Sequence, residues 1–404
     1  MRTLWLKMNS RNLERLQMSR NCFGGLHSTI RWTLMSSRLM GLFPLSGLSH
    51  IRLIFRFTLR SPYTVIYVIS MFGQFLMCFS LFYWILKTGI SLSHFTNGMF
   101  YTSSLTSSLV LLNVGRSWPK IIIQVEKIEA QLPPFSRDIR MICNVIVFLM
   151  MFSAVVEHIL SVYYEVTVAR ACFPYNVTET YFRYGTPWVY EYTNYSPWKA
   201  SFNIQSTFIW TFNDLLVMVI SIYLTEHLII HNNLLKSAVS QDHFSAATFR
   251  VQYLKIARLI KLVNGKIGIY ILTSFGSNLY WICTQLFYSR TGPFVDCQEH
   301  SSQNKYVVYG VEYTVYFTYS CSFLVTRTLF VLLLSARIHT NSKEPLVTLY
   351  GLPSEQFDIE VERYISQINN IKVALSGLDF FHVTRTMILT VSIYLIKLRY
   401  FYNN

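Results

Sequence analysis

Long apolar runs bounded by Lys or Arg dominate the pattern of the chain. Arg60 and Lys87 enclose 26 positions without a charged residue, more than the roughly 20 that a membrane-spanning helix needs. Lys87 to Arg116 encloses a second run, "TGISLSHFTNGMFYTSSLTSSLVLLNVG". A third, at about 141–164, carries Glu157 and His158, and a fourth, at about 200–225, carries Asp214 within "WTFNDLLVMVIS". Lys266 and Arg290 bound the fifth, and the sixth, at about 306–334, carries Glu312 and Arg327. A seventh run near the C-terminus is weaker. The pattern predicts an all-α membrane protein, a bundle of seven transmembrane helices.

Composition agrees with this reading. The chain of 404 residues is 52% hydrophobic and only 14% charged, against roughly 25% charged in soluble domains. The net charge of +15 is spread between the apolar runs rather than gathered in one patch, which argues against a nucleic-acid partner. Ten Lys or Arg precede the first run, five lie between runs two and three, and five between runs four and five before Lys266. The alternate connections hold one, three and two. By the positive-inside rule the N-terminus is expected in the cytoplasm, the inverse of a G-protein-coupled receptor. The sequon "NVT" at Asn176 falls in a connection that this orientation places outside, a candidate glycosylation site. No cleavable leader is evident, since the first sixty residues are basic and broken.

These boundaries divide the chain into a cytoplasmic N-terminal segment (1–63), six transmembrane helices with a ligand pocket in their outer half (64–336), a cytoplasmic loop with an amphipathic helix (337–380) and an incomplete or divergent seventh helix (381–404). The amphipathic helix is predicted to start near Ser354 as N-cap, with Phe357, Val361 and Tyr364 on one stripe. Seven cysteines show no CxxC pair or His/Cys ligand spacing, so no metal site is expected. Cys78, Cys143, Cys283 and Cys321 read as small buried hydrophobes. Cys172 and Cys297 fall in predicted outer loops and form a possible disulfide.

Candidate chemistry lies in the polar residues inside the runs, where ionisable groups are costly and usually mark function. Glu157 and His158 fall on the outer side of the third run. Asp214 lies near mid-depth, with Trp210 one turn further out on the same face. Asn278, Trp281 and Gln285 share a face of the fifth run, and Glu312, Tyr313 and Tyr316 stand at the outer end of the sixth. Carboxylates, amides and aromatic rings at one depth suit a polyhydroxylated ligand, because such a site rejects analogues lacking a hydroxyl. Each residue also has a plainer reading: the tyrosines as an interfacial belt, Asn278 and Gln285 as interhelical bonds, Arg327 as a snorkelling anchor near the inner end. Nothing assembles a catalytic, metal or phosphate-binding constellation, so neither an enzyme nor a cofactor is expected.

Several segments resemble one family in order along the chain. "WTFNDLLVMVISIYLTEHLIIHNNLL" resembles the fourth-helix stretch of insect gustatory receptors of the sugar-sensing branch. "LMGLFPLSGLS", "GRSWPKIIIQVEKIE", "VVEHIL", "GSNLYWICTQLFYS" and "ALSGLDFFHVTRTMILT" are similar to further stretches of that family, and together they cover about nine tenths of the chain. The resemblance implies a subunit of a ligand-gated, non-selective cation channel in the dendritic plasma membrane of taste neurons. It further implies a homo- or hetero-tetramer, with a mono- or disaccharide as ligand and monovalent and divalent cations as permeants.

The ending departs from the family pattern. Only about 11 residues, Thr386 to Ile396, separate Arg385 from Lys397, too few to span. Val391-Ser392 can be encoded GTAAGT, a splice-donor consensus, so an unspliced final intron or a defective gene model is expected; a genuinely divergent last helix is the alternative. Two other classes compete. A G-protein-coupled chemoreceptor would place the N-terminus outside, against the charge bias, and a sugar transporter would show repeated halves.

Overall fold

The computed structural model describes residues 25–39, 41–45, 61–135, 138–172, 176–185, 188–189, 198–241, 244–291, 310–387 and 389–390. Ten α-helices carry the architecture of these residues: α1 Leu26–Leu39, α2 Pro62–Thr88, α3 Leu92–Glu129, α4 Ile139–Cys172, α5 Val177–Gly185, α6 Trp198–Ser240, α7 Ala246–Thr291, α8 Val311–Lys343, α9 Pro345–Tyr350 and α10 Ile359–Asn370. Extended pairing among the described residues is limited to one isolated bridge between Ser376 and His382.

Among the described residues, each of the six apolar runs falls largely within one long helix. Four of these, α2, α4, α6 and the stretch Val311–Tyr350, are long and apolar enough to cross a membrane. The Ser- and Thr-rich α3 and the basic-ended α7 reach spanning length with lower apolarity. At 43 residues α6 extends about 65 Å, so it projects well beyond a hydrocarbon core of ~30 Å.

The bundle is built around α6, which is buried on nearly every side and packs on α8, α7, α4, α1 and α3. The other apolar helices present one face outward, with Phe72, Phe75, Phe79 and Phe82 exposed on α2 and Phe148 and Phe152 on α4. A helix hydrophobic all round belongs inside a bundle, and one with an outward aromatic stripe belongs against lipid. Close approach requires a small residue where α2 meets α6: a Cβ on Gly73 would lie 1.9 Å from the Phe202 ring.

The basic N-terminal segment contains more order than its broken pattern predicts. Helix α1 packs against α6 and α4, with Leu26, Ile30 and Leu34 fully buried. Its first amide, Leu26 N–H, donates to Glu129 at 2.9 Å, and Tyr223 OH donates to the same carboxylate. A carboxylate at a helix N-terminus satisfies an orphan donor and meets the positive end of the dipole. Helix α1 ends in a reciprocal turn, Leu42 N–H to Ser37 O (3.0 Å) and Gly41 N–H to Arg38 O (3.1 Å), with Gly41 at φ +72°. Only this left-handed position closes the turn, and glycine adopts it without steric cost. The turn delivers Phe43 edge-on to Trp118 at 5.8 Å and sets Pro44 against Gly115. Two of the quoted motifs, "LMGLFPLSGLS" and "GRSWPKIIIQVEKIE", therefore pack on each other.

The amphipathic helix after α8 starts later than the sequence predicts. Ser354 opens a 3-10 turn (Ser354–Gln356), and α10 begins at Ile359 with Asp358 as N-cap, its carboxylate accepting from Val361 N–H at 2.9 Å. Asp358 closes the orphan amides that the Ser354 side chain leaves alone. Val361 and Tyr364 are buried as the stripe predicts, whereas Phe357, lying before the helix, is exposed. The shortened seventh helix falls mostly on 391–404, outside the described residues, as does Cys297, one half of the possible disulfide.

Candidate functional site

A cavity of about 290 Å³ opens between α3, α4, α6, α7 and α8, with Tyr181 and Phe182 of α5 at its edge. Its walls are helical stripes. Glu157, Ser161 and Glu165 come from successive turns of α4, with His158 beside them. Asn203, Thr207 and Trp210 form the α6 stripe, Trp281 and Gln285 the α7 stripe, and Tyr316, Ser320 and Leu324 the α8 stripe. Helix α3 contributes Asn97, Phe100 and Tyr101. Spacings of three and four bring each set onto one face.

The polar groups in the wall are ordered by one another. Ser320 Oγ donates to Glu157 at 2.9 Å. Glu165 accepts from Ser161 at 3.5 Å and from the Tyr181 hydroxyl, which ties α5 to α4 at the cavity edge. The rings of Trp210 and Trp281 lie 5.4 Å apart, and Tyr316 stacks on Tyr164 at 5.7 Å. Two carboxylates, several hydroxyls and a pair of indoles thus surround one space.

The same stripes continue inward into a dry polar cluster. Asp214, one turn below Trp210, forms an ion pair with Arg327 at 2.8 Å, and the two side chains are 0% and 1% exposed. Asn278, one turn below Trp281, donates to both carboxylate oxygens at 3.1 Å, and Ser274 Oγ donates to Oδ1. Trp210 Nε1 donates to Asn278 Oδ1 at 3.2 Å, and the Arg327 guanidinium lies 4.0 Å from the centre of the Trp210 ring. Arg327 also donates to Thr211 Oγ1 at 3.2 Å and Asn278 Oδ1 at 3.4 Å. A void of about 10 Å³ shares Glu157, Trp210, Ser320 and Leu324 with the larger cavity and reaches Arg327. Burying a charge is costly unless it is paired and hydrogen-bonded, and here both conditions are met.

Six of the ten sequence candidates line the cavity: Glu157, His158, Trp210, Trp281, Gln285 and Tyr316. Asp214 and Asn278 stand behind its wall, contacting it through Trp210. Glu312 and Tyr313 lie outside the lining. Glu312 occupies the first turn of α8, and Tyr313 packs on Tyr164 at 5.3 Å. The assignment of Arg327 as a snorkelling anchor is corrected: it sits at the centre of α8, enclosed by the carboxylate and aromatic faces of α6. Sequence reasoning missed Ser161, Glu165, Asn203, Thr207 and Ser320. Stepping four residues along each helix from Glu157, Trp210 and Tyr316 would have reached most of them.

Comparison with known proteins supplies context for this site. Residues 7–398 match a family model described as "Trehalose receptor". The chain is 28% identical to the Drosophila melanogaster gustatory receptor for sugar taste 64f over 91% of its own length and 78% of that relative's. It is 30% identical to gustatory receptor 5a for trehalose from the same organism, over 73% of this chain and 65% of the relative. Among solved structures, the insect olfactory receptor OR5 from Machilis hrabei shares the fold with a TM-score of 0.61 at 14% identity, covering 92% of this chain and 96% of that one.

Proposed function

The chain belongs to the trehalose receptor family, and we propose that it is a sugar-gated cation-channel subunit of taste neurons, its ligand held in the cavity between α3, α4, α6, α7 and α8. The observation that carries this reading is the convergence of Glu157, Glu165, Gln285 and the Trp210–Trp281 pair on one space. Carboxylates and amides take up hydroxyl hydrogen bonds, and the indole faces cover the C–H face of a pyranose. Curated relatives named for sugar taste and for trehalose support the ligand class, and the fold shared with an insect olfactory receptor is consistent with a chemoreceptor.

In this reading the receptor is a multi-pass protein of the dendritic plasma membrane, assembled as a homo- or hetero-tetramer that passes monovalent and divalent cations. Its N-terminus is cytoplasmic, and Asn176, exposed before α5, carries glycan outside the cell. The four-part division into N-terminal segment, six spans, inner loop and last segment belongs to the same proposal. A tag at residue 1 labelled on intact cells would sink the orientation.

The test of the pocket uses two readouts of the full chain: sugar-evoked current in cells expressing it, and sugar-dependent change in tryptophan fluorescence of the purified receptor. Glu157→Gln and Trp281→Ala are expected to raise the half-effective sugar concentration about tenfold, corresponding to ~1.4 kcal/mol, at unchanged surface level. Glu312→Gln, outside the lining, is expected to leave it unchanged. Wild-type dose–response curves in both cavity variants at normal expression overturn the assignment.

A further inference from the structure

A second recess, of about 660 Å³, lies on the surface between α1 and the first turns of α4 and shares no lining residue with the first cavity. Its lining changes character along α4. At the end of the helix stand Asp138 and Arg140, with Arg31 and Ser28 of α1 facing them. Met141, Phe148 and Leu149 follow, all exposed, together with Trp32 of α1. From Asp138 to Leu149 the recess runs about 16 Å at the helical rise. The ionisable side chains of the polar end are two arginines and one aspartate.

We propose that this recess binds an anionic glycerophospholipid, its phosphate against Arg31 and Arg140 and an acyl chain along Met141, Phe148 and Leu149. Charge complementarity and the direction of the gradient select this occupant. Arginine forks match phosphate oxygens, and an indole at the polar–apolar boundary suits the interface. Asp138 holds Arg140 through both oxygens at 2.9 Å, which fixes the guanidinium plane. Arg140 is thereby oriented and partly neutralised, so the site discriminates by net charge: an added anionic headgroup is favoured and a second is not. Basic segments near a membrane face attract anionic lipid with ~1 kcal/mol per Lys or Arg. The site lies at the same end of the bundle as the junction of α1 with Glu129, so occupancy clamps α1 onto α4.

The full-length receptor, purified into phosphatidylcholine nanodiscs with and without phosphatidylglycerol, tests the proposal by native mass spectrometry of retained lipid and by thermal stability. The wild type is expected to retain phosphatidylglycerol selectively and to melt at higher temperature in its presence. Arg31→Gln is expected to lower that selectivity about fivefold. Asp138→Asn, which preserves an acceptor for the Arg140 amide, is expected to raise it, giving a change of opposite sign that misfolding cannot mimic. Selectivity unchanged in both variants overturns the site. Equal stabilisation by glycerol phosphate in solution overturns the commitment to a lipid, since the apolar half of the recess would then contribute nothing.

Discussion

Helices α6 and α8 are joined by two ion pairs whose surroundings are opposite. Asp214–Arg327 lies behind the cavity, 0% and 1% exposed, with the carboxylate also accepting hydrogen bonds from Ser274 and Asn278. Lys236–Glu344, near the C-terminal end of α6 and at the C-cap of α8, measures 2.6 Å with side chains 51% and 36% exposed. The first pair meets the cavity through the Trp210 ring and through the small void that Arg327 shares with Glu157 and Ser320. The inner pair is one contact among many: His231 bridges Gln252 at 3.0 Å and Tyr364 at 2.7 Å, and Asn232 bonds both Asn341 O and Glu344. Breaking a dry pair leaves a buried charge, whereas breaking a wet one leaves water to replace it. The cavity end is therefore vulnerable and responsive, and the inner end is redundant.

The largest effect expected from this contrast comes from removing one partner of the dry pair. Asp214→Ala or Arg327→Ala should destabilise the fold by about 3–5 kcal/mol and abolish surface expression, measured by labelling an outer tag. Asp214→Asn should fare little better, because it leaves the buried Arg327 guanidinium without a counter-charge. The double substitution Asp214→Leu with Arg327→Met removes both charges and should restore the surface level. Sugar sensitivity should stay low in that double variant, since Trp210 has lost the guanidinium beneath its ring. Full sensitivity there would show that the pair holds helices together and does nothing for the cavity.

A smaller effect isolates the link itself. Trp210→Phe keeps an aromatic wall but loses the Nε1 donor to Asn278. One neutral hydrogen bond contributes about 1 kcal/mol, so the half-effective sugar concentration should rise about fivefold with surface level unchanged. No shift in the dose–response curve would mean that the cavity does not feel the cluster.

How far the sequence foretold these regions depends on the kind of signal. The long helices were legible because long apolar runs flanked by Lys and Arg mark spans directly. The depth and face of Glu157, Trp210 and Trp281 followed from helical spacing, which is why they converge. Arg327 was misplaced because periodicity gives a residue's face but not what stands opposite; its partner lies 113 positions away on another helix. The order of α1 was hidden for a similar reason. Its burial depends on Glu129 and Tyr223, and its own sequence carries neither a capping residue nor a continuous apolar run. Asp358 was passed over in favour of Ser354 although both are good caps, since only the tertiary position of the 3-10 turn selects between them.

Outside the bundle the expected effects shrink further. Asp358→Ala removes the side-chain cap of α10 and leaves the Val361 amide without its acceptor. Loss of an N-cap costs about 1 kcal/mol, visible as a small fall in the melting temperature of the purified receptor with sugar response intact. A change in sugar sensitivity equal to that of Trp210→Phe would instead tie α10 to the cavity, and the proposed separation of the two ends would fail.

The smallest effect should come from Lys236→Ala. The pair it forms with Glu344 is half in water, so its Coulomb attraction is screened and partly offset by the entropy of holding two long side chains. Glu344 keeps its bond from Asn232 at 3.0 Å after the lysine is gone, and the inner ends of α6 and α8 remain joined through Asn341 and, by way of Tyr253 OH to Ser342 O at 3.2 Å, through α7. The expected destabilisation is about 0.2–1 kcal/mol, and raising the salt concentration should shrink the difference between wild type and variant towards zero. The dry pair offers no such route for ions, so the deficit of Arg327→Ala should persist unchanged at high salt. Comparing the two variants across a salt series therefore separates screened from buried electrostatics on one pair of helices, and a salt-insensitive loss in Lys236→Ala would place that lysine in a far drier setting than its exposure indicates.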